Sequence, residues 1–414
     1  MLIADISKPM TFAPHQPVFP IRSATAAAFA RSEPDRGAAM NILLTNYRDR
    51  NHPQAGGAEN HLHSIFSRIV DAGHDVHLLT TSYPGAGPAD ELDGIRIVRE
   101  GSDLTFNVHV AARLPGLVRR LDIDVVVEDL NKIPVFAPLR SQVPVVVQTH
   151  HLWKSSVFRN ADPVSAALVY ALERAIPAVY RRQRFIAVSP STRGELVDLG
   201  IAPDRIEVIY NGSDPVPWEP VDDDPAAPYF LWLGRLQRYK GVRLAVEAFA
   251  RLLRVCPDLE LHIAGDGPGR DELQRLIVRK RLDHRIRLWG RVDESCKRAL
   301  LRGATAVLQT SVKEGWGLTV IEANACGTPA IASCVAGLRD SVIHEYTGLL
   351  FTAGNPDALA ECMLRISQDH GLRARLAGNA RSFARRFDWD VAAERTLEVL
   401  WSAVEGRCRH AVPV

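Results

Sequence analysis

The feature that most constrains the fold is an alternation of short Val/Ile/Leu-rich runs with longer segments of helical periodicity. Short apolar runs of this kind are typical of parallel strands that are covered on both faces, and the helices between them supply the crossovers. The pattern begins abruptly at Met40 and occurs on both sides of residues 211–228, a segment with five prolines and three consecutive aspartates. Strands are predicted at residues 42–45, 76–80, 95–98, 125–127, 145–148, 185–188 and 206–209, and then at residues 229–233, 260–264, 286–288, 306–309 and 330–333.

This repeated pattern predicts an α/β protein of two doubly wound, Rossmann-like domains that face each other across a cleft. A chain of 414 residues suits two domains of about 150 residues or somewhat more. We predict a disordered tail over residues 1–39, a first domain over 40–215, a second domain over 216–385 and a helix over 386–405 that crosses back to the first domain. The tail lacks the compact apolar stretch of a secretory signal.

Composition excludes several classes of protein. The 50 basic and 48 acidic residues give a net charge of +2, without the polybasic character of a nucleic-acid partner. The six cysteines have neither CxxC nor Cys/His metal-site spacing, which predicts reduced thiols and no metal site. No apolar run approaches the roughly 18 residues that span a bilayer, so a cytoplasmic location is predicted.

The most informative segment is SVKEGWGLTVIEANACGTP, residues 311–329. Its glycines let the backbone approach an anion, and a helix that begins near Gly317 directs the N–H groups of Leu318 and Thr319 at a phosphate. Glu314 and Glu322 are eight positions apart, at most roughly 12 Å at helical rise, which suits a nucleotide sugar better than the ~5 Å pair of a retaining glycosidase. The alternative interpretation is that both glutamates are solvated surface charges.

A second candidate cluster follows the strand at residues 229–233. Arg235 and Lys240 are predicted to project from the carboxyl end of this strand into the cleft. A guanidinium binds a diphosphate in a bidentate manner, and an ammonium adds a compact charge, so the pair can neutralise a departing nucleoside diphosphate. Taken alone, such residues are more often part of a solvated loop.

Three further positions complete the candidate site. Gly265 lies in a GDGPGR turn that lacks the third glycine of a dinucleotide fingerprint. Gly57 follows Gly56 at a predicted helix start, from which the backbone can approach a diphosphate. His150 ends another strand, where it could reach the sugar or the acceptor. Each of these positions also has a purely structural interpretation as a turn, a helix start or a packed histidine.

These residues resemble glycosyltransferase family 4, the retaining group with the GT-B fold, over most of residues 40–405. The matching motifs are Glu-x7-Glu within EGWG, Gly-Arg-x4-Lys, GDGP, GGAE near the start and THHLW. The resemblance implies diphosphate contacts from Arg235, Lys240 and the Gly57 backbone, sugar contacts from Glu314, and ribose contacts from Glu322. It also implies that Arg291 and Val292 border the nucleobase.

The resemblance further implies transfer of a hexosyl group from a nucleotide-sugar donor with retention and without a metal ion or other cofactor. The donor phosphate would then accept the proton of the acceptor. One departure is the Leu338-Arg339-Asp340 segment after Gly337, where such proteins often carry Pro-Glu. The acceptor, which depends on loops at residues 47–54 and 153–162, is left open.

Other functions remain alternatives at this point. A sugar-nucleotide epimerase shares the fold, although Arg-x4-Lys with Glu-x7-Glu favours a transferase. A nicotinamide-dependent dehydrogenase would need a dinucleotide fingerprint after the first strand, and this sequence has none there. A catalytically silent nucleotide-sugar-binding protein would differ in donor hydrolysis. The basic amphipathic region 170–185 suggests peripheral contact with a membrane, against the interpretation of a solvated helix face interrupted by Pro177.

Overall fold

The computed structural model describes residues 39–131, 133–159, 162–214 and 227–410. The predictions for residues 1–38 of the tail and for residues 215–226 of the linker lie outside the described residues. The chain from Ala39 onward forms one compact unit.

The first sheet has eight strands in the order β3-β4-β2-β1-β5-β6-β7-β8. All neighbouring strands are parallel except β3 and β4. The strands are β1 Asn41–Thr45, β2 Asp75–Thr80, β3 Ala89–Leu92, β4 Ile95–Arg99, β5 Val125–Leu130, β6 Val145–Thr149, β7 Arg184–Ala187 and β8 Ile206–Val208. Seven of the eight strands were predicted; β3 was not, because its residues are mostly exposed and half of them are acidic.

The helices of this half cover both faces of the sheet. They are α1 Gly57–Asp71, α2 Phe106–Arg120, α3 Pro163–Tyr180 and α4 Pro190–Leu199, with short 3₁₀ turns at Ala137–Leu139, Lys154–Arg159 and Pro203–Arg205. One hydrophobic core packs α2, α3 and α4 against one face of the sheet, and a second core packs α1 against the other.

The second sheet has six parallel strands in the order β11-β10-β9-β12-β13-β14. The strands are β9 Tyr229–Leu233, β10 Glu260–Ala264, β11 Ile286–Gly290, β12 Ala306–Gln309, β13 Ala330–Ser333 and β14 Gly348–Phe351. The helices are α5 Val242–Leu252, α6 Arg270–Arg279, α7 Glu294–Gly303, α8 Leu318–Ala325, α9 Leu338–Ser341, α10 Pro356–Gln368 and α11 His370–Ala384, with a 3₁₀ turn at Arg238–Lys240. The architecture is the predicted pair of doubly wound α/β domains.

The last helix, α12 Trp389–His410, follows the second domain in sequence but packs against α1 and the first sheet. Trp389 and Leu400 share a buried core with Met40 and Ile42 of the first domain. The chain therefore crosses between the two domains twice, once near residues 211–228 and once near residues 384–389.

Strand order determines where a ligand can bind. In the second sheet, β10 lies on one side of β9 and β12 on the other, so the connections from β9 and β12 diverge at their carboxyl ends. Such a switch point leaves a crevice in doubly wound sheets. Arg235 follows β9 and Glu314 follows β12, so adjacent strands bring these two side chains together.

Candidate functional site

Arg235 lies where the two domains meet. Its Nη1 donates a hydrogen bond to the carbonyl of Gln54 in the first domain at 3.1 Å, and its Nη2 donates to the Tyr239 hydroxyl at 3.2 Å. A Cβ on Gly56 would lie 3.3 Å from the guanidinium carbon, so the glycine lets the arginine approach the backbone closely. Burial alone would lower the pKa of Arg235, but neighbouring Tyr239, Glu59 and Glu314 raise it.

Lys240 and Glu314 form an ion pair at the centre of the site. The Lys240 Nζ lies 2.5 Å from the Glu314 Oε1, and the same oxygen accepts a hydrogen bond from the Ser311 hydroxyl at 2.7 Å. Burial would lower the pKa of Lys240, but the Glu314 carboxylate more than offsets burial, and the pKa is raised. Lys240 therefore stays cationic at neutral pH.

Gly241 allows this pair to form. Its φ of +70° is in the left-handed region, and a Cβ there would lie 2.3 Å from the carbonyl oxygen of Thr310. The Thr310 hydroxyl bonds the Lys240 carbonyl at 2.9 Å. The turn after β9 and the loop after β12 are thus held in direct contact.

The loop at residues 311–317 packs closely against the first domain. A Cβ on Gly315 would lie 2.1 Å from the carbonyl oxygen of His150, far inside van der Waals contact. Next to it, Trp316 is buried against Tyr210 and Phe387, with ring centroids 4.8 and 4.9 Å away. This loop contacts both the first domain and the two interdomain crossings.

Helix α8 begins at Leu318, immediately after Gly317 at φ +85°, as the sequence predicted. Its first turn faces the start of α1, because a Cβ on Gly57 would lie 3.3 Å from the Leu318 Cδ1. Thr319 follows in the same turn, so Gly57, Leu318 and Thr319 lie at two facing helix N-termini. Such termini present N–H groups without intrahelical partners.

The prediction for the two glutamates was based on a helix that does not reach Glu314. It assumed helical rise over all eight positions, whereas Glu314 precedes α8 and only Glu322 lies on the helix. Glu322 is 31% exposed rather than enclosed, and its carboxylate lies 2.8 Å from the Lys297 Nζ. Burial would lower the pKa of Lys297, but Glu322 and Glu294 raise it, so a cation neutralises Glu322.

The remaining second-domain candidates border the same cleft. Gly265 has a φ of +131°, and a Cβ there would lie 1.9 Å from the Gly234 carbonyl, so only glycine fits this turn. The Arg291 Nη2 donates to the Pro53 carbonyl of the first domain at 2.8 Å. Val292 is partly buried and packs, like Trp289, against the hydrophobic cluster of the second domain that includes Tyr229 and Leu231.

His150 is buried at the end of β6, and its Nε2 lies 3.0 Å from the Asp129 Oδ1. Burial would lower the pKa of His150, but Asp129 and then Glu59 raise it. His61 of α1 packs edge-on against His150 at 4.9 Å, and burial holds the pKa of His61 well below its usual range. Asp129 and Glu59 were not predicted, because nothing near them in sequence points to the histidine.

Two polar contacts between the domains were also not predicted. Lys313 forms an ion pair with Glu195 of α4. Asp340, at the departure from the family pattern, accepts a hydrogen bond from the Ser191 N–H at 2.9 Å at the start of α4. Lys313 and Asp340 of the second domain thus both contact α4 of the first domain.

Comparison with known proteins identifies the family. The family model for Glycosyltransferase Family 4 matches residues 55–216, and the model for Glycosyl transferases group 1 matches residues 221–383. Glycogen synthase of Mycobacterium tuberculosis is 30% identical over 405 residues, covering 89% of this chain and 96% of that protein. The chain belongs to glycosyltransferase family 4.

Solved structures show the same fold. Sucrose-phosphate synthase of Thermosynechococcus elongatus superposes on this family 4 glycosyltransferase with a TM-score of 0.76 and 22% identity, covering 89% of this chain and 100% of that chain. Anabaena HepE in complex with UDP-glucose superposes with a TM-score of 0.72 and 21% identity, covering 88% and 100%. The predicted GT-B fold is confirmed.

Two features are absent from the described part of this glycosyltransferase. No helix within it is long and apolar enough to cross a membrane. Within the same residues, no three His, Cys, Asp or Glu side chains are grouped so as to hold a metal ion.

Proposed function

We propose that this glycosyltransferase transfers a hexosyl group from a nucleotide-sugar donor, with retention and without a metal ion, in the cleft around Lys240. The observation that carries the proposal is the ion pair between Lys240 and Glu314, beside Arg235 at the switch point of the second sheet. The binding of UDP-glucose by HepE, which shares the fold, supports a nucleotide-sugar donor.

The two cations would stabilise the leaving diphosphate. Negative charge grows on the diphosphate as the bond from its oxygen to the sugar C1 breaks, and preorganised cations stabilise that charge. The N–H groups at the start of α8, near Leu318 and Thr319, and the Gly57 backbone would contribute further donors. These donors supply the neutralisation for which many phosphoryl-transfer sites use a divalent ion.

Glu314 has a double role in the proposed reaction. Before the donor binds, its carboxylate is paired with Lys240. A bound diphosphate would compete for the ammonium, and the freed carboxylate oxygen would accept hydrogen bonds from sugar hydroxyls. Glu322, further along α8, would accept a hydrogen bond from the ribose, and His150 would border the sugar from the first domain.

Retention follows if the acceptor attacks C1 from the face that the diphosphate leaves. In that step the bond from the acceptor oxygen to C1 forms as the bond from C1 to the phosphate oxygen breaks. The proton of the acceptor hydroxyl passes to a phosphate oxygen of the donor. Nuclear magnetic resonance of early product should show the donor's anomeric configuration, and the rate of transfer should not change when EDTA is added. Inverted product would contradict retention. Activity that is lost in EDTA and restored by a divalent ion would contradict transfer without a metal ion.

Steady-state kinetics test the assignment of roles. Arg235→Ala and Lys240→Ala should each lower kcat by about 10² to 10³, because their contacts strengthen in the transition state. Glu322→Gln should mainly raise the donor KM, since ribose contacts change little during reaction, and Glu314→Gln should fall between these limits. Arg243→Ala, at an exposed arginine of α5, is the control. Near-wild-type kcat in both cation variants would exclude the proposed roles.

We also propose a cytoplasmic location, which fractionation of cells would test. A thermal-shift series of nucleoside diphosphates and nucleotide sugars would identify the donor. A ligand at 100 times its Kd should add about 2.7 kcal/mol to native stability.

A further inference from the structure

Helix α3 turns an unusually apolar face to solvent. Val164 is 79% exposed and Leu168 is 55% exposed, and their spacing of four residues places them on one side of the helix. Ala167, Ala171 and Ala178 are exposed on the same side. Phe158, 50% exposed, packs its ring 5.7 Å from that of Tyr170 on this helix.

The charges of α3 make this face more unusual. The helix has 18 residues and two charged side chains, Glu173 and Arg174. Glu173 is buried and accepts hydrogen bonds from the N–H groups of Trp153 and Lys154 at 2.7 and 2.8 Å. An ordinary surface helix has the opposite arrangement, with charged residues outward.

Exposed arginines mark one end of this surface. Arg174 lies in the second half of α3, Arg181 and Arg182 follow its carboxyl end, and Arg184 begins β7; all four side chains are exposed. At the other end, the Asp162 carboxylate is engaged with the N–H groups of Val164 and Ser165. We define the α3 surface as Phe158, Val164, Leu168, Tyr170, Arg174, Arg181, Arg182 and Arg184.

We infer that the α3 surface binds an anionic lipid bilayer. Val164, Leu168 and Phe158 would enter the boundary between headgroups and acyl chains, and the arginines would contact lipid phosphates. A contact of this surface with itself in a second copy would fit less well, because it would bring arginines of the two copies together, and the nearby carboxylates of Asp162 and Glu173 already accept backbone hydrogen bonds. The inference does not depend on the proposed donor chemistry.

Sedimentation of the full chain with sucrose-loaded vesicles tests this inference. The protein should bind vesicles of mixed phosphatidylcholine and phosphatidylglycerol, and it should bind phosphatidylcholine alone at least about tenfold more weakly. The double variant Val164→Glu with Leu168→Glu should reduce binding by about tenfold or more, because both carboxylates would have to be desolvated. The matched control is Val255→Glu with Val278→Glu, at two exposed valines of the second domain.

A second pair of variants tests the charge. Neutralising Arg174, Arg181 and Arg182 with glutamine should lower binding to anionic vesicles by about tenfold or more. Neutralising the exposed Arg254, Arg275 and Arg279 of the second domain should change it less than threefold. Circular dichroism of every variant separates loss of binding from loss of folding.

The inference is overturned if wild-type protein does not bind anionic vesicles, or if the control variants lose binding equally. It is also overturned if light scattering shows a dimer that the Val164→Glu/Leu168→Glu variant dissociates while neither protein binds vesicles. The α3 surface would then be a contact between copies of the chain. None of these outcomes bears on donor turnover, which is measured separately.

Discussion

Two adjacent histidines show how strongly the surroundings of a residue determine its chemistry. Burial would lower the pKa of His150, but Asp129 at 3.0 Å reverses the effect and raises it. Burial lowers the pKa of His151 to about 3, with help from the charges of Lys313 and His150. His150 therefore gains a proton more readily than an ordinary histidine, while His151 stays neutral.

His151 should make the protein less stable as the pH falls. Its folded pKa is depressed, so between pH 6.5 and about 3 the unfolded chain binds a proton that the native state does not. The contribution of His151 to the free energy of unfolding should thus fall by up to about 1.4 kcal/mol per pH unit below pH 6.5. Urea denaturation at several pH values should show a flatter dependence for His151→Gln than for wild type.

The control for this measurement is His284→Gln, at an exposed histidine of the second domain. His61 contributes in the same direction as His151, and His150, with its raised pKa, in the opposite direction. Comparing each variant with wild type at each pH removes both contributions. Parallel curves for His151→Gln and wild type between pH 6 and pH 4 would show that His151 takes up a proton in the native state.

At the scale of elements, predictions succeeded where a short, mostly apolar run forms a buried strand. Strands β9 and β10 lie where the sequence placed them, because each is a five-residue run of mostly buried side chains. Because β9 and β12 are parallel neighbours, the residues that follow them, Arg235 and Glu314, lie at the same crevice. The strand pattern of the sequence was enough to predict that both residues follow strands at the cleft.

Contacts between the two domains could not be predicted in this way. Lys313 and Glu195 are 118 residues apart in sequence, and Asp340 and Ser191 are 149 apart. The pairing of His150 with Asp129 likewise depends on which strands become neighbours. Edge strand β3 was missed for a different reason, since its exposed acidic residues carry no apolar signal.

Gly315 should be indispensable for the position of the loop at residues 311–317. An alanine Cβ there would lie 2.1 Å from the His150 backbone oxygen, so the loop or the end of β6 would have to move. Gly315→Ala should lower kcat/KM by at least about 10², because a shift of about 1 Å at a positioning element costs that much. Donor kinetics on the purified variant, with melting temperature recorded, measure the effect.

The matched control is Gly378→Ala in α11, where an added Cβ meets nothing within 4 Å. That change should leave kinetics unaltered and stabilise the protein by up to about 1 kcal/mol, as alanine does over glycine inside a helix. Wild-type kcat/KM in Gly315→Ala would mean that the close contact with His150 is not needed for activity.

At the scale of the whole molecule, helix α12 is part of the first domain although it follows the second in sequence. Trp389, Ala392 and Leu400 of α12 are buried in the core that also contains Met40 and Ile42. Gly212 lies against Trp389, where an added Cβ would be 2.3 Å from the Trp389 nitrogen, so the two crossings contact each other. The first domain is therefore complete only after the second has been synthesised.

Two truncations should consequently have opposite effects. A chain that begins at Met40 should keep wild-type activity and melting temperature, because the residues from Ala39 onward form a compact unit by themselves. A chain that ends at Asp388 loses three large buried side chains, Trp389, Val399 and Leu400. At about 1.5 to 3 kcal/mol each, their loss approaches the whole stability of an ordinary domain, about 5 to 15 kcal/mol. Thermal unfolding followed by circular dichroism should show no cooperative transition for the first domain.

Point variants of α12 give a milder test. Leu400→Ala should lower the free energy of unfolding by about 2 to 5 kcal/mol, whereas Glu398→Ala, at an exposed residue of the same helix, should lower it by less than about 0.5 kcal/mol. A Met40-start chain that fails to fold, or a chain ending at Asp388 that melts like wild type, would show that the boundaries of the first domain lie elsewhere.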